Sequence, residues 1–482
     1  MTGNSGEIQA CWLNWNDYSE RILGLRRQVF ATEQGWGEEM VNHERDPEGL
    51  HLGAMLNGEI IAVISAYLYE PGAPELSTLE LQKVDGLTVQ IGKRVELAEH
   101  RGRHISERIG TSMLRQICES LRPDRFFLLV RGQHRNLIDR YTRRNFVRHA
   151  DIGSADDVRT VMTVEGEEAV EEFYFKNRAL DKEPAPGGSL ISVPSLVRFL
   201  VESGRGDVLA AERLGAENHY LEPLSIEAEM PRLTAQGRLM ATEQRSRLAS
   251  TPFPPAPASL LDIGTGPGEY LAAVAREESL AGYRVRGVEP SPQLLARARS
   301  SFPEITFREG TAYATGEADS SHDVITANFV FVHLRSPDLA LLEMRRVLRP
   351  GGLLYVVDVN DDSFRGPDVI RRMIETHNRN YAGDRTFLTD LPGRAEQFGF
   401  EPVRRFSTTV RNTGGSRPAF GPDEIRIGRA DAWGLLSFVR TQRGVEEVFK
   451  EAQDFYFGAE CEMSLDIETQ VYRSRPSPEN GR

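Results

Sequence analysis

The chain has 482 residues, of which 40% are hydrophobic and 27% are charged, and its formal net charge is -13 at pH 7. A domain holds about 100 to 200 residues, so the chain has room for two or three domains, each with its own core. The acidic charge argues against a general nucleic-acid binder, and the lack of a long apolar run or a signal peptide predicts a cytoplasmic protein that acts on small molecules.

The first part of the chain predicts a small mixed α/β domain. Residues 18–31 show helical periodicity, and residues 51–69 read as two strands joined by Asn57-Gly58, the strongest short signal for a hairpin. The elements that follow are a strand over 93–99, a helix over 106–121, a strand over 125–130 and a helix over 136–147.

Two segments of this domain carry a resemblance to a known superfamily. RYTRRNFV is similar to the Tyr-x-x-x-Gly-Phe segment of the GCN5-related N-acetyltransferases (GNAT), and LRRQVFATEQGW resembles the opening of acyl-homoserine-lactone synthases, which share that fold. The resemblance covers residues 15–165 and implies a GNAT-like acyltransferase domain that binds acyl-CoA. It also implies that Tyr141 donates a proton to the leaving thiolate and that Glu96 relays the proton of the acceptor amine.

The turn over residues 101–106 bears on acyl-CoA binding. In the superfamily a glycine-rich turn at this point cradles the coenzyme A pyrophosphate on backbone N–H groups. Here the turn reads RGRHIS, so side chains occupy two of the usual small positions. Guanidinium groups suit phosphate, so Arg101, Arg103 and Arg108 are candidates to replace the lost contacts, and a solvated basic surface is the alternative. An active acyltransferase and a non-catalytic module for binding or dimerisation therefore both stay open.

The composition changes over residues 177–190. NRALDKEPAPGGSL gathers proline, glycine and charge without hydrophobic periodicity, which predicts a linker. It separates a first domain, residues 1–176, from a second, residues 191–482. In the second domain residues 191–250 read as amphipathic helices, and a Rossmann-like α/β core is expected from residue 255.

A glycine-rich turn follows the first strand of this core. In LLDIGTGPGEYLAAVA, Gly264, Gly266 and Gly268 can adopt backbone angles that are closed to other residues, and the helix that follows offers unpaired N–H groups. The next strand ends at Glu289, 27 residues after Asp262. A carboxylate at that position can accept hydrogen bonds from both ribose hydroxyls, so the pattern predicts a site for a nucleoside cofactor.

The same segments resemble the class I S-adenosylmethionine-dependent methyltransferases. DIGTGPG is a complete DxGxGxG match, and HDVITANFVFVHL and EMRRVLRPGGLLYVVDV follow in the order of that family. The resemblance covers residues 255–360 and implies an S-adenosylmethionine site built by Asp262, Gly264, Thr265, Gly266, Gly268, Glu289, Thr311 and Ala312. Thr311 stands where the family often has an acidic residue for the adenine amino group, so that contact is assigned to Thr311 and the Ala312 backbone N–H. The helices of residues 191–250 are expected to cover the cofactor, with Tyr220 as a lid residue.

The methyl acceptor is expected beyond the carboxyl ends of the parallel strands, where ligands of open α/β sheets bind. Asn328 is placed to hydrogen-bond an amine or hydroxyl, and capping a loop is its alternative role. Asp358 opens an acidic run, residues 358–362, that either holds a cation or is a solvated loop. His333 is interpreted as a residue that lines the pocket, with a general base as the alternative.

These patterns together predict a bifunctional enzyme of specialised metabolism, in which a methyltransferase acting on a small molecule is fused to a GNAT-like acyltransferase. The candidate partners are an acceptor molecule, a carrier protein and a second copy of the chain. Cleavage of a different sulfonium bond is the alternative chemistry, because the cofactor motif does not dictate which bond breaks. No metal site is predicted, because the three cysteines follow no CxxC spacing and His100 and His104 flank a turn without a third ligand.

Overall fold

The computed structural model describes residues 7–154, 157–182, 191–217, 226–414, 417–436 and 445–476. The chain forms two compact units, residues 1–210 and 211–482. Each unit has its own sheet and its own hydrophobic core, so both are mixed α/β folds. Tyr220 lies outside the described residues. Among the helices that the structure describes, none has the length and apolar character needed to cross a bilayer.

The first unit has a mixed sheet with helices on its faces. Its elements are β1 (Gln9–Leu13), α1 (Trp15–Arg26), β2 (Leu50–Leu56), β3 (Glu59–Tyr69), α2 (Pro74–Ser77), β4 (Thr88–Glu96), α3 (Ile105–Leu121), β5 (Arg125–Arg131), α4 (Arg135–Thr142), β6 (Val147–Ile152), β7 (Arg159–Glu165), α5 (Glu167–Lys182) and α6 (Leu196–Glu202). The strand order is β1-β2-β3-β4-β5-β7-β6. Among the described strands of this unit only β4 and β5 are parallel neighbours, and they pair over just Thr88–Gln90 and Arg125–Phe127.

The predicted hairpin is confirmed, because β2 and β3 pair antiparallel across Asn57 and Gly58. Both turn residues have positive φ, 50° and 83°, as a tight hairpin turn requires. The strand expected over 93–99 begins earlier, at Thr88, and ends at Glu96. Helix α3 then begins at Ile105, directly after His104 in the left-handed conformation.

The structure differs from the expected domain boundary in residues 177–210. Helix α5 continues to Lys182, so the segment expected as a linker begins inside a helix, and residues 183–190 lie outside the described part of the chain. Residues 191–210, expected within the lid, belong to the first unit. Leu196 and Leu200 are fully buried in its core, and the Leu196 N–H donates to Gln116 Oε1 at 2.6 Å. Burial of the apolar face of α6 explains why this helix joins the first unit.

The second unit contains a longer sheet. Its elements are α7 (Ala211–Ala216), α8 (Ile226–Ser250), β8 (Ser259–Ile263), α9 (Glu269–Val274), β9 (Arg284–Glu289), α10 (Pro292–Ser301), β10 (Thr306–Glu309), β11 (His322–Asn328), α11 (Pro337–Val347), β12 (Leu348–Arg365), α12 (Asp368–Asn380), α13 (Phe387–Gln397), β13 (Phe400–Arg411), β14 (Ala419–Phe420), β15 (Glu424–Arg426), α14 (Arg429–Leu436), α15 (Glu446–Gly458) and β16 (Ser464–Ser474).

The strand order in this sheet is β10-β9-β8-β11-β12-β16-β13-β15-β14. The first five strands are all parallel and have the order 3-2-1-4-5 of a doubly wound, Rossmann-like sheet. Strand β16 is antiparallel to both of its neighbours, β12 and β13. The order reverses between β8 and β11, so a ligand is expected beyond the carboxyl ends of these two strands.

Candidate active site

The turn between β8 and α9 forms the floor of a pocket at this point of the sheet. Gly264, Gly266 and Gly268 have φ values of 64°, 56° and 84°, which confirms the predicted backbone conformations. A Cβ on Gly264 would lie 2.8 Å from Cγ2 of Val330, whereas a Cβ on Gly266 would meet no protein atom within 4 Å. Gly266 therefore turns toward the open pocket, where a ligand can approach the main chain closely.

Glu289, the last residue of β9, lies against this turn and lines the pocket. Its Oε2 accepts a hydrogen bond from the Gly266 N–H at 2.9 Å, and its Oε1 accepts one from the Ser291 N–H at 2.9 Å. Burial raises the pKa of Glu289 to about 7, although both hydrogen bonds act to lower it. The carboxylate is held in one orientation and keeps lone pairs for the hydroxyls of a ribose.

Asp262 lies under the turn and is not one of the described residues that line the pocket. Its Oδ1 accepts a hydrogen bond from the Thr326 hydroxyl at 2.6 Å. Burial raises the pKa of Asp262 to about 6, and the hydrogen bond from Thr326 opposes that rise. Asp262 was expected to bind the cofactor, but it is placed to support the turn, whereas Thr265 itself lines the pocket.

Thr311 and Ala312 line the pocket beyond Glu289, where the adenine contact is expected. The Thr311 hydroxyl oxygen accepts hydrogen bonds from the N–H groups of Tyr313, at 3.2 Å, and Ala314, at 3.0 Å. A hydroxyl has one donor and two acceptor positions, so both acceptor positions of Thr311 are used within its own turn. Its side chain can donate a hydrogen bond to adenine but is poorly placed to accept one.

Asn328 and His333 line the pocket after β11, the strand that neighbours β8. Asn328 Oδ1 is buried and has no hydrogen-bond partner among the described residues, so this oxygen caps no loop there. His333 Nδ1 lies 2.6 Å from the Tyr381 hydroxyl. Burial, together with the guanidinium charges of Arg385 and Arg232, lowers the pKa of His333 to about 3. Its imidazole is neutral at physiological pH and a weak base, which favours the interpretation as a lining residue.

The acidic run of residues 358–362 belongs to β12, so the alternative of a solvated loop is wrong. Asp358 is fully buried and is not among the described residues that line the pocket; its Oδ2 accepts the Val332 N–H at 3.3 Å. Burial raises the pKa of Asp358 to about 7. Asp361 binds Arg385 through both of its oxygens, at 2.7 and 2.8 Å. Within the described ranges no cluster of acids, histidines and cysteines could hold a metal ion.

Three arginines that sequence reasoning missed also line the pocket: Arg232, Arg335 and Arg385. They come from α8, from the segment after β11 and from the segment before α13, which are far apart in the chain. Arg232 pairs with Glu229 at 2.6 Å, and Arg335 lies 4.0 Å from Glu217. No local motif marks them, so only the tertiary structure shows that they converge.

In the first unit the Glu96 carboxylate lies at the start of α3. Glu96 Oε2 accepts the Ser106 N–H at 3.0 Å, and Arg101 Nε donates to the Glu96 carbonyl at 3.1 Å. Arg103 is exposed, and Tyr141 is half-buried with its ring edge-on to Phe146. One N–H that was expected to face a pyrophosphate therefore already binds a carboxylate of the protein.

Comparison with known proteins supports the function of the second unit. A family model described as a methyltransferase domain matches residues 261–356. The demethylmenaquinone methyltransferase of Chlorobaculum parvum is 32% identical over 171 residues, which cover 34% of this chain and 68% of that protein. The chain belongs to the S-adenosylmethionine-dependent methyltransferases. The corresponding enzyme of Chlorobaculum tepidum is 30% identical to this methyltransferase and is covered over 67% of its length.

The family assignment confirms the predicted class I methyltransferase domain and implies S-adenosylmethionine as its cofactor. The YcgJ protein of Bacillus subtilis, a solved structure, is 16% identical with a TM-score of 0.35, and the match covers 49% of this methyltransferase and 99% of that chain. The pocket fits the cofactor, since it offers an open glycine turn and a fixed carboxylate at the end of β9.

Proposed function

We propose that the second unit transfers the methyl group of S-adenosylmethionine to a small molecule of specialised metabolism, which binds beside Asn328. The observation that carries this proposal is one pocket lined by Gly266 and Glu289 together with Asn328 and His333. The cofactor supplies an activated methyl group, so the protein needs chiefly to hold the acceptor in line with it.

Different residues of the pocket contact different parts of the cofactor and of the acceptor. Glu289 holds the ribose hydroxyls, and Thr311 with the Ala312 backbone contacts the adenine. The buried Asn328 Oδ1 accepts a hydrogen bond from the amine or hydroxyl that receives the methyl group, and so orients its lone pair. Neutral His333 adds a polar, uncharged group to the wall.

Turnover of the Asn328→Ala variant tests this assignment. One neutral hydrogen bond contributes about 1 to 1.5 kcal/mol, so we expect roughly tenfold lower turnover and an unchanged affinity for S-adenosylhomocysteine. The assay uses methyl-labelled cofactor and a small-molecule extract of the source cells. Asn380→Ala, on the exposed end of α12, is the matched control. Wild-type turnover in Asn328→Ala would move the acceptor elsewhere, and transfer of aminocarboxypropyl label would indicate cleavage of the other sulfonium bond.

We also propose that the first unit is a GNAT-like domain that recognises the substrate or a carrier protein, or joins two copies of the chain, and does not transfer acyl groups. This proposal is supported by Glu96, whose carboxylate occupies the Ser106 N–H at the start of α3. A helix N-terminus attracts anions, and here a protein anion already satisfies it. The competing function, acyl transfer from acyl-CoA, depends on Arg101, Arg103 and Arg108.

Calorimetry with acetyl-CoA at low and high salt separates these two functions. We expect no binding at either salt concentration with folded protein. Binding that weakens with salt and with Arg103→Ala would instead assign acyl-CoA to the arginines, because exposed charge pairs are screened beyond about 10 Å at 0.1 M salt.

A further inference from the structure

The segment of residues 381–385 crosses directly over the loop that carries His333. A Cβ on Gly383 would lie 2.1 Å from the Val332 carbonyl oxygen and 2.8 Å from the His333 Cα, so only glycine permits this approach. Tyr381, two residues earlier, contacts His333 Nδ1 through its hydroxyl at 2.6 Å. The crossing brings Arg385 into the pocket wall, near His333.

Arg385 is a buried cation that lines the pocket. It is 3% exposed, and Asp361, which is not among the described lining residues, binds its Nε and Nη2 at 2.7 and 2.8 Å. Arg335, also 3% exposed, lines the same pocket. Burying a guanidinium group costs several kcal/mol unless an anion compensates it, as Asp361 does for Arg385.

Acids and cations both line the pocket. Among the described lining residues the acids are Glu217, Glu269 and Glu289, and Glu217 lies 4.0 Å from Arg335. The positive charge of Arg385 reaches His333, whose pKa is lowered by burial and by nearby guanidinium groups. Apolar side chains of the pocket wall include Leu214, Val359 and Leu435.

We propose that the methyl acceptor is an anionic molecule, whose carboxylate or phosphate binds Arg385 and Arg335 while its nucleophilic atom lies beside Asn328. Guanidinium groups bind both kinds of anion with paired N–H donors. The inference rests on the proposed methyl transfer. In that reaction the lone pair of the acceptor atom forms the new bond to carbon, the S–CH3 bond breaks, and sulfur keeps its electron pair. A proton carried by the acceptor atom passes to solvent.

The alternative is that Arg385 and Arg335 bind the carboxylate of the cofactor itself. Calorimetry distinguishes this carboxylate from an anion of the acceptor. The variants are Arg335→Gln and the double variant Arg385→Gln/Asp361→Asn, which removes both members of a buried pair together. S-adenosylhomocysteine and 5′-methylthioadenosine, which lacks the amino-acid part, are the probes. Arg245→Gln, exposed on helix α8, is the control.

We expect both variants to bind S-adenosylhomocysteine within about threefold of wild type, which also shows that the site is folded. An affinity at least about tenfold lower for S-adenosylhomocysteine, with 5′-methylthioadenosine unaffected, would assign these arginines to the cofactor and overturn the proposal. Absence of S-adenosylhomocysteine binding in the wild type would instead overturn the proposed function.

The charge of the acceptor is tested with methyl-labelled cofactor. A small-molecule extract of the source cells is separated on an anion-exchange resin into retained and unretained pools, and each pool is incubated with the full chain. We expect label to enter only molecules of the retained pool, and labelling at low acceptor concentration to fall about tenfold or more in both variants but not in Arg245→Gln. Label confined to the unretained pool would overturn the inference.

Discussion

Ionisation of Glu289 makes the affinity of the pocket for its cofactor depend on pH. Its carboxyl group is 4% exposed and its pKa is raised to about 7, so near neutrality the ligand-free protein holds it partly protonated. Accepting hydrogen bonds from both ribose hydroxyls favours the charged form. Binding of the nucleoside must therefore release a proton whenever the pH lies below the pKa of the ligand-free protein.

The affinity for S-adenosylhomocysteine is expected to rise with pH and to level off above about pH 7.5. Between about pH 6 and pH 8 the increase approaches tenfold, because about a tenth of the ligand-free protein has an ionised Glu289 at the lower pH. Calorimetry in buffers of different ionisation enthalpy measures both the affinity and the released proton. In Glu289→Gln the affinity should be lower and this pH dependence absent; a wild-type profile in that variant would contradict the assignment.

Asp358 contributes a different pH dependence, that of stability. Its ordinary pKa is 3.8 and its folded pKa is about 7. Between these values the unfolded chain loses the proton while the folded protein retains it, so stability falls as the pH rises and the full cost is reached above about pH 7. Asp358→Asn removes this cost and can still accept the Val332 N–H.

Urea unfolding of the ligand-free chain at about pH 5 and pH 8 checks this prediction. The difference in free energy of unfolding between Asp358→Asn and wild type should shift by roughly 2 kcal/mol in favour of the variant at the higher pH. Asp362→Asn, an exposed position on the same strand, is the control and should show no such shift. Parallel pH profiles for Asp358→Asn and wild type would refute it.

The residues of the glycine turn could be predicted from the sequence, whereas the placement of Asp358 could not. Gly264, Gly266 and Gly268 lie in one contiguous motif, and their backbone angles follow from the turn itself. Asp358 was expected beside the acceptor, but β12 continues to Arg365 because β16 pairs with it along that extension. A partner strand about a hundred residues away leaves no local signal in the sequence.

At the scale of elements, the features with short-range sequence signals could again be predicted, whereas the contacts between distant segments could not. The hairpin of β2 and β3 and the start of α3 near Ser106 follow from local turn and helix signals. The role of Glu96 as a partner of the first turn of α3 required the geometry, since sequence reasoning assigned this carboxylate to proton transfer. The crossing of residues 381–385 over the His333 loop had no sequence signal at all.

Gly383→Ala tests the importance of that crossing. A Cβ placed 2.1 Å from a carbonyl oxygen must push the two segments apart, and overpacking of this kind typically costs about 1 to 3 kcal/mol. We expect a lower free energy of unfolding by that amount and a loss of methyl transfer, because Tyr381 and Arg385 move away from the pocket.

Gly393→Ala is the matched control, since its Cβ would meet no atom within 4 Å and it lies inside helix α13. There the substitution should be neutral or stabilise the protein by roughly 0.5 to 1 kcal/mol. Equal stability of Gly383→Ala and wild type in urea unfolding would show that the close approach is not required.

At the scale of the whole molecule, the two units have separate cores, and the pocket that fits the cofactor belongs to the second. Trp12, Trp15 and Trp36 belong to the first unit, and Trp433 belongs to the second. In Trp433→Phe, tryptophan fluorescence therefore reports on the first unit alone.

S-adenosylhomocysteine should stabilise the second unit selectively. At a concentration about a hundredfold above its dissociation constant, the stabilisation is about 2.7 kcal/mol. Calorimetric scans of the Trp433→Phe chain should show one transition that moves to higher temperature with ligand, while the fluorescence midpoint stays in place. A common shift of both signals would mean that the units unfold together.

Strand β16 has a consequence for how the protein is made. It is the last described strand along the chain, yet it lies inside the sheet and forms hydrogen bonds to β12 on one side and β13 on the other. While the ribosome is still translating residues 464–474, both neighbours present open strand edges, which are templates for aggregation. The second unit can close its sheet only after translation of these residues, so until then the edges of β12 and β13 stay open to pairing with other chains.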